Sequence, residues 1–371
     1  MNKPFHIFGI ETSCDETAGA IVRAERGKLS VAANVVSSQI ATNAQWGGVV
    51  PNIAAREHVA NIIPVLSDTC ARAGMTMRDM DLIAVTNGPG LIQALLIGVN
   101  TAKTLSYAWR IPLIGTHHIA GHIYANWIGE NSTDQSHSIG DAIEFPILCL
   151  VVSGGHTQLV LMKKHCDCTI IGETQDDAAG EAFDKVARIL GLSYPGGPLI
   201  ASEAAKNPDT REIITLPRPM IDSGDYNFSF SGLKTAVLYA VKKFRAKNNI
   251  ADTSPLPKEF VSAMAREFQN AVVDVLVAKT IKATEEYAPC SILLAGGVAA
   301  NVALRQRLMK TIREKFPSVH CILPPLRYTT DNASMIATAG YFAWQNLSAA
   351  QKRQAHDAWR TLTADANLPL S

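Results

Sequence analysis

The feature that most constrains this chain is a strand–turn–strand pattern that occurs twice, once at the start and once near the middle. In the first copy, residues 8–10, 18–22 and 31–36 have the composition of short buried strands separated by turn residues. In the second copy, residues 147–152 and 158–162 form a hairpin of the same kind. The repeat predicts two related α/β lobes, each of which opens with an antiparallel meander.

The segments that follow the meanders show helical spacing in some places and continuous apolar runs in others. We predict buried strands at residues 81–85, 112–115 and 291–295, and helices at residues 52–73, 91–108, 117–122, 178–190, 258–286, 301–315 and 332–346. Gly74 is the expected stop of the first of these helices. Alternating strands and helices indicate an α/β fold.

The length of the chain also favours two lobes, because 371 residues exceed what one ordinary core accommodates. We place an N-terminal lobe at residues 1–128, an inter-lobe loop at 129–143 and a C-terminal lobe at 144–331. Residues 332–371 are expected to form a helix that returns to the first lobe, followed by a weakly patterned tail.

The composition excludes several classes of protein. With 47% hydrophobic residues and a net charge of +1, the chain is globular and carries no bulk basic signal. A nucleic-acid contact would therefore require a local patch or a partner subunit. No apolar run is long enough to span a bilayer, the N-terminus lacks a secretory signal, and the seven cysteines include no CxxC pair. These features predict a cytoplasmic protein with reduced thiols and no membrane contact.

Four glycine-rich turns lie beside buried strands, at residues 88–90, 153–156, 194–198 and 296–301. Glycine allows backbone N–H groups to approach a phosphate without an intervening side chain. A single glycine pair is usually a tight turn with no ligand. Several of them at strand ends of a two-lobed chain favour a nucleotide site between the lobes.

A second candidate site is formed by His118 and His122, which lie four residues apart and thus on one helical face. Two such imidazoles can bind one metal, with Asp331 as the best candidate for a third ligand, and this set suits iron(II) or zinc. The alternative is a pair of ordinary helix histidines, but His117 adds a third imidazole and favours a site. Ile119 stands where a zinc protease of the HExxH type needs its glutamate, which argues against that class.

Acidic residues mark two further places. Asp15 and Glu16 lie in a hydroxyl-rich turn after the first strand, where they either cap a β-turn or receive a proton in catalysis. The acids at 176–177 are expected to cap the helix that follows them. Asp184, one turn into that helix, either reaches a ribose or substrate amine or forms an exposed ion pair with Arg188.

Taken together and in this order, the motifs resemble the bacterial branch of the tRNA threonylcarbamoyladenosine transferases, a family formerly described as glycoproteases. The matching segments extend from the first strand almost to the end of the chain: residues 9–17, 47–51, 88–91, 117–122, 152–158, 177–185, 194–198, 228–234, 295–298 and 330–332. The set as a whole is far more specific than any one motif.

The resemblance implies an α/β, two-lobed actin-like ATPase fold, built from duplicated RNase H-like units. It implies transfer of a threonylcarbamoyl group from threonylcarbamoyl-AMP to the adenosine beside the anticodon, in tRNAs that read codons beginning with A. It also implies one divalent metal, with iron(II) favoured and zinc possible. The implied partners are a paralogous subunit of the same fold, a small ATPase and the tRNA.

The resemblance also assigns roles to individual residues. It implies that the metal is bound by His118, His122 and Asp331, and that Asp15 and Glu16 are catalytic residues that take up or direct a proton. Contacts with the adenylate are given to Val151, Val152, Ser153, Gly154, Gly155, Asp184, Gly197 and Asn301. Two other functions are compatible with the residues: an actin-like small-molecule kinase, which would not need the histidines, and a non-catalytic nucleotide-gated scaffold, which need not keep the metal ligands.

Overall fold

The computed structural model describes residues 3–129, 143–206 and 214–370. Apart from its two end residues, the predicted inter-lobe loop lies outside these ranges. Within the described ranges, ten strands form two five-stranded sheets. The strands are β1 Phe5–Glu11, β2 Glu16–Glu25, β3 Lys28–Ser38, β4 Leu82–Gly88, β5 Leu113–His117, β6 Ile147–Val152, β7 Thr157–Lys164, β8 Asp167–Glu173, β9 Ser291–Ala295 and β10 His320–Ile322.

The two sheets share one topology. The first has the order β3-β2-β1-β4-β5, in which β1 to β3 are antiparallel while β4 and β5 run parallel to β1. The second has the order β8-β7-β6-β9-β10, with the same directions at equivalent places. This duplication confirms the predicted actin-like fold of paired RNase H-like units. The lobe boundaries drawn from the sequence stay predictions.

Twelve α-helices connect and cover the sheets within the described ranges. They are α1 Ile40–Trp46, α2 Pro51–Ala73, α3 Ile92–Trp109, α4 His118–Tyr124, α5 Ala179–Ile189, α6 Gly196–Lys206, α7 Ser231–Lys247, α8 Lys258–Tyr287, α9 Val302–Lys315, α10 Ala333–Asn346, α11 Ala349–Gln354 and α12 Ala358–Thr361. Every predicted helix is observed within about two residues of its expected ends. Gly74 ends α2 in the left-handed conformation, as expected.

Helices α4 and α10 lie between the two sheets and hold them together. Ile119 of α4 and Ala339 of α10 share one buried cluster with Val151 of the second sheet. The close approach of α10 depends on a glycine in the first strand. A Cβ at Gly9 would lie 2.3 Å from the carbonyl oxygen of Ala333. Only glycine fits there, and because it has no side chain the first turn of α10 can lie close to β1.

Residues 347–370 are packed against the first sheet and are not the weakly held tail that the sequence suggested. The backbone N–H of Leu113 donates to Ala355 at 2.9 Å, and that of Asp365 donates to Asn87 at 2.8 Å. Because these contacts are backbone hydrogen bonds, no periodic pattern of side chains marks them in the sequence. Within the described residues, no helix combines the length and the apolarity that crossing a bilayer requires.

Candidate active site

The three predicted metal ligands come together between the lobes. Oδ1 of Asp331 lies 3.1 Å from Nε2 of His122 and 3.7 Å from Nε2 of His118. One ligand atom from each residue fits within 4.8 Å of the others. The helical spacing of α4 places the two imidazole rings 4.7 Å apart, and Asn332, which caps α10, follows Asp331 directly. The site thus joins the start of α4 to the start of α10.

These residues fit a metal ion. Both ring nitrogens of His122 are buried, and neither makes a hydrogen bond of good geometry with a described residue. A buried, unpaired imidazole nitrogen is costly unless another ligand uses its lone pair. The side chain of Asp331 is 21% exposed while that of His122 is 1% exposed, so the open side of the site is at the carboxylate. Two imidazoles and one carboxylate with an open side are typical of iron(II) and zinc centres.

A buried carboxylate orients the first imidazole. Oε2 of Glu11 lies 3.1 Å from Nδ1 of His118 and accepts a hydrogen bond from Thr86 at 2.6 Å. Oγ of Ser13 lies 3.0 Å from the same Nδ1. Such a contact holds the proton on Nδ1 and leaves Nε2 for the metal side. Without a cation, burial disfavours the imidazolium, but the charges of Asp331 and Glu11 outweigh burial and raise the pKa of His118 to about 9.

The acidic turn between β1 and β2 lies beside this metal site. Asp15 is buried, and its Oδ2 accepts a hydrogen bond of 2.8 Å from the amide of Asn43 in α1. Burial, followed by the charges of Asp331 and Asp15, raises the pKa of Glu16 to about 10. Glu16 therefore carries its proton at neutral pH in the metal-free protein. The electrostatic effect of Asp331 on this turn links two sites that are over 300 residues apart in sequence.

His58 of α2 holds the same turn in place. It is fully buried, and its ring nitrogens lie 2.7 Å from Oγ1 of Thr17 and 3.0 Å from the carbonyl oxygen of Cys14. Each contact reaches one end of the segment that carries Asp15 and Glu16. Sequence reasoning missed His58, because a lone histidine on an amphipathic helix gives no local signal of its partners.

The turn between β6 and β7 brings backbone amide groups to the side of the candidate site that the second lobe forms. A Cβ at Gly154 or Gly155 would meet no atom within 4 Å, so both glycines face open space. The N–H of Gly180, at the start of α5, donates to Ser153 at 3.2 Å. His156 ends the turn, and burial followed by the charges of His118 and His122 lowers the pKa of His156 to about 4. The turn is therefore close enough to the metal site to respond to its charges.

The two valines before this turn are placed differently. Val151 and Val152 are fully buried in β6, and they pair with Gln158 and Thr157 of β7. Their side chains cannot touch a ligand in the open space, so any contact from these residues must come from the backbone.

Asp184 has neither an exposed ion pair nor a free carboxylate. Its Oδ1 accepts a hydrogen bond of 2.7 Å from the N–H of Gly196 and so caps the start of α6. Burial raises its pKa. Arg188, the alternative partner, instead donates across the lobes to the carbonyl of Gly47. Gly197, next along the chain, faces open space, so the start of α6 is accessible beside the carboxylate.

Asn301, predicted as the first residue of a helix, is the N-terminal cap of α9. Its Oδ1 accepts from the N–H of Leu304 at 3.0 Å, and its amide donates to Gln269 at 2.9 Å. The side chain is therefore already bonded, and the free N–H groups of the first turn of α9 are what it leaves for a ligand.

One sequence interpretation is corrected here. Asp176 does not cap α5; it accepts hydrogen bonds from the N–H groups of Phe230 and Ser231 and caps α7. His117, the third imidazole of the run, is used elsewhere: its Nδ1 accepts from Ile119 at 3.1 Å and its Nε2 lies 3.0 Å from the carbonyl of Leu368. Both residues make contacts that only the folded chain brings together.

Known proteins match this chain over nearly its whole length. The model of the family "TsaD: tRNA N6-adenosine threonylcarbamoyltransferase" matches residues 30–338. A tRNA N6-adenosine threonylcarbamoyltransferase of Geobacillus kaustophilus is 48% identical over 370 residues, covering 100% of this chain and 98% of the relative. One from Bacillus subtilis is 52% identical over 344 residues, covering 92% of each. The crystal structure of HypF from T. kodakarensis aligns with a TM-score of 0.52 at 12% identity, covering 92% of this chain and 48% of that one, which supports the fold alone.

Proposed function

The chain belongs to the family of tRNA N6-adenosine threonylcarbamoyltransferases, and on this premise we propose how its residues perform the transfer. The enzyme transfers a threonylcarbamoyl group to the exocyclic amine of an adenosine in tRNA. We take threonylcarbamoyl-AMP as the donor. The acceptor is the adenosine beside the anticodon, in tRNAs that read codons beginning with A. The convergence of His118, His122 and Asp331 beside the acidic turn is the observation that carries this proposal.

His118, His122 and Asp331 hold one divalent metal in this proposal, with iron(II) favoured and zinc as the alternative. A cation held by these residues would polarise and orient the donor as a Lewis acid. Glu11 keeps the His118 ring turned towards that position through the contact at Nδ1. The exposed edge of the Asp331 side chain is where the donor approaches.

The adenylate part of the donor lies along the second lobe. Backbone N–H groups of Gly154 and Gly155 are proposed to face its phosphate, because both glycines border open space. The N–H of Ser153 donates to the carbonyl oxygen of His156 at 2.8 Å, so Ser153 is proposed to contact the donor through its hydroxyl group. Val151 and Val152 contribute only backbone. The remaining contacts are proposed for Asp184, Gly197 and Asn301. Of these, Gly197 is the most accessible, while the two side chains also cap helices.

The reaction forms a bond between the adenosine amine and the carbamoyl carbon, and breaks the bond from that carbon to the phosphate oxygen. AMP leaves with the bonding electrons, and the amine loses one proton. We assign this proton to Asp15, which Asn43 holds in place. In the metal-free protein, burial and the charges of Asp331 and Asp15 raise the pKa of Glu16, and we propose that this side chain hydrogen-bonds to Asp15 as the charge there changes.

Partners and location complete the proposal. A paralogous subunit of the same fold and a small ATPase are the proposed protein partners, and shared tRNA binding with them fits a net charge of only +1. We place the enzyme in the cytoplasm, where tRNA is modified.

The direct test is formation of modified adenosine, measured by mass spectrometry of nucleosides. Purified chain, the two bacterial partners, threonylcarbamoyl-AMP and unmodified tRNA are combined, with and without prior metal removal. We expect product with the wild type and none with His122→Ala, while Lys163→Ala serves as an exposed control. An enzyme that phosphorylates a small molecule with ATP and does not need His122 would instead support a kinase. Normal tRNA binding without product would count against transfer.

A further inference from the structure

Helix α7 carries a local concentration of positive charge that the active site does not use. Residues 231–258 contain six of the 34 Lys and Arg residues of the chain but only one of its 33 Asp and Glu residues. The segment is net positive by five, although the whole chain is net positive by one. The rest of the molecule is therefore net negative, and a polyanion would be drawn to this segment.

Three of the lysines lie on one exposed face of the helix, together with a tyrosine. Three lysines lie three, four and eight residues after Tyr239, namely Lys242, Lys243 and Lys247, and all four side chains are exposed. The opposite face, with Leu233, Val237 and Val241, is buried. We call the exposed residues Tyr239, Lys242, Lys243 and Lys247 the α7 face.

The three lysines of the α7 face are not neutralised within the described part of the chain. None of them makes an ion pair or hydrogen bond there, whereas Lys234, one turn from the start of α7, lies 3.8 Å from Asp177. The ring of Tyr239 is 65% exposed beside them. Lysines interleaved with an exposed aromatic ring are typical of surfaces that bind RNA by phosphate contacts and stacking, and the ring has no role in binding an acidic protein by charge.

The helix is fixed to the active site at its first turn. Oγ of Ser231 donates to Asp176 at 2.6 Å, and Asp176 lies three residues before α5. Gly180 in the first turn of α5 donates its N–H to Ser153 in the turn between β6 and β7, which is the turn proposed to bind the phosphate of the donor. From Ser231 the helix rises about 1.5 Å per residue, which places Lys242 and Lys243 about 17 Å further along. That separation suits a contact with a part of the substrate several nucleotides from the reacting base.

We propose that the α7 face binds the sugar-phosphate backbone of the tRNA away from the modified adenosine, with the Tyr239 ring stacking on a base or sugar. The inference rests on the proposed function for the identity of the RNA. It adds a binding surface that none of the predicted site residues provides.

The test measures binding of an unmodified tRNA transcript to the full chain by fluorescence anisotropy between 50 and 200 mM KCl. Log affinity falls linearly with log salt, and each lost phosphate contact makes this negative slope shallower by about 0.7–0.9. We therefore expect Lys242→Ala/Lys243→Ala to make the slope less negative by about 1.4–1.8 and to raise Kd at least about 10-fold at 100 mM salt. Tyr239→Ala should raise Kd at least about 5-fold, and Tyr239→Phe should restore wild-type binding because stacking needs only the ring.

The matched control is Lys163→Ala/Lys164→Ala, which removes the same charge from two adjacent exposed lysines at the end of β7. It should bind tRNA as the wild type does. An unchanged Kd and salt slope in the α7 variant, an equal loss in the control, or a wild type without salt-dependent tRNA binding each overturns the inference. In the transfer assay the α7 variant should raise KM for tRNA and leave kcat unchanged. A wild type that binds tRNA through this face but forms no product would refute the proposed function instead.

Discussion

Replacing Glu11 by glutamine tests how the metal site is built. The carboxylate accepts from three sides: Oε1 from the N–H of Ser13 at 2.5 Å, and Oε2 from Thr86 at 2.6 Å and from His118 at 3.1 Å. Glutamine has nearly the same shape but only one accepting oxygen. If that oxygen stays on Ser13, the amide NH2 faces Nδ1 of His118 and favours the tautomer with its proton on Nε2, the atom that must bind the metal.

Loss of such an orienting partner typically lowers metal affinity 10- to 100-fold, which corresponds to about 1.4–2.7 kcal/mol. We expect Glu11→Gln to show a loss in this range when Zn²⁺ is titrated against a chelator at pH 7.5. Glu25→Gln, the same change at an exposed position far along β2, should bind as the wild type does. Circular dichroism confirms that each variant is folded. A folded Glu11→Gln protein that holds zinc as tightly as the wild type would refute the orienting role.

Three further changes test other parts of the argument. His58→Ala should lower kcat at unchanged zinc affinity, since it frees the acidic turn, and should cost about 1–3 kcal/mol of unfolding free energy in urea. Gly9→Ala should destabilise by about 1–3 kcal/mol and weaken zinc binding because α10 must move, whereas Gly232→Ala, which has free space, should not. In the metal-free protein the pKa of His118 is raised from its ordinary 6.5 to about 9. Protonated His118 therefore stabilises the fold fully below pH 6.5, and this contribution is lost as the pH rises through 9. Thermal unfolding at pH 6 and pH 9 should show the loss, and bound zinc should reduce it because zinc replaces the proton.

The sequence predicts the duplicated sheets and the metal ligands because both depend on spacing within a segment. Alternation and turn residues mark the meanders, and an interval of four puts His118 and His122 on one helical face. Asp331 could be found because it precedes a recognisable helix start. Helix α6 was missed because it opens with Gly196, Gly197 and Pro198, which read as a turn.

What could not be predicted are contacts made across the fold. Asp176 has the place of a cap for α5, yet α7 begins within its reach and offers it two N–H groups. His58, Asn43 and Glu11 act on the site from three different elements. No local pattern records which of several polar side chains will meet after the sheets have formed.

The packing of the last residues on the first sheet sets an order for folding during synthesis. Strands β1 to β5 leave the ribosome before the second sheet, whereas α10 and residues 347–370, which cover them, leave after it. The first lobe must therefore wait, with part of its apolar surface uncovered, while the second lobe is made and can fold on its own sheet. The contacts of the first lobe with α10 and residues 347–370 join segments that are far apart in the sequence, so they form late in folding. Since Asp331 follows every strand of both sheets in the sequence, a nascent chain has no complete set of metal ligands until both sheets have been synthesised.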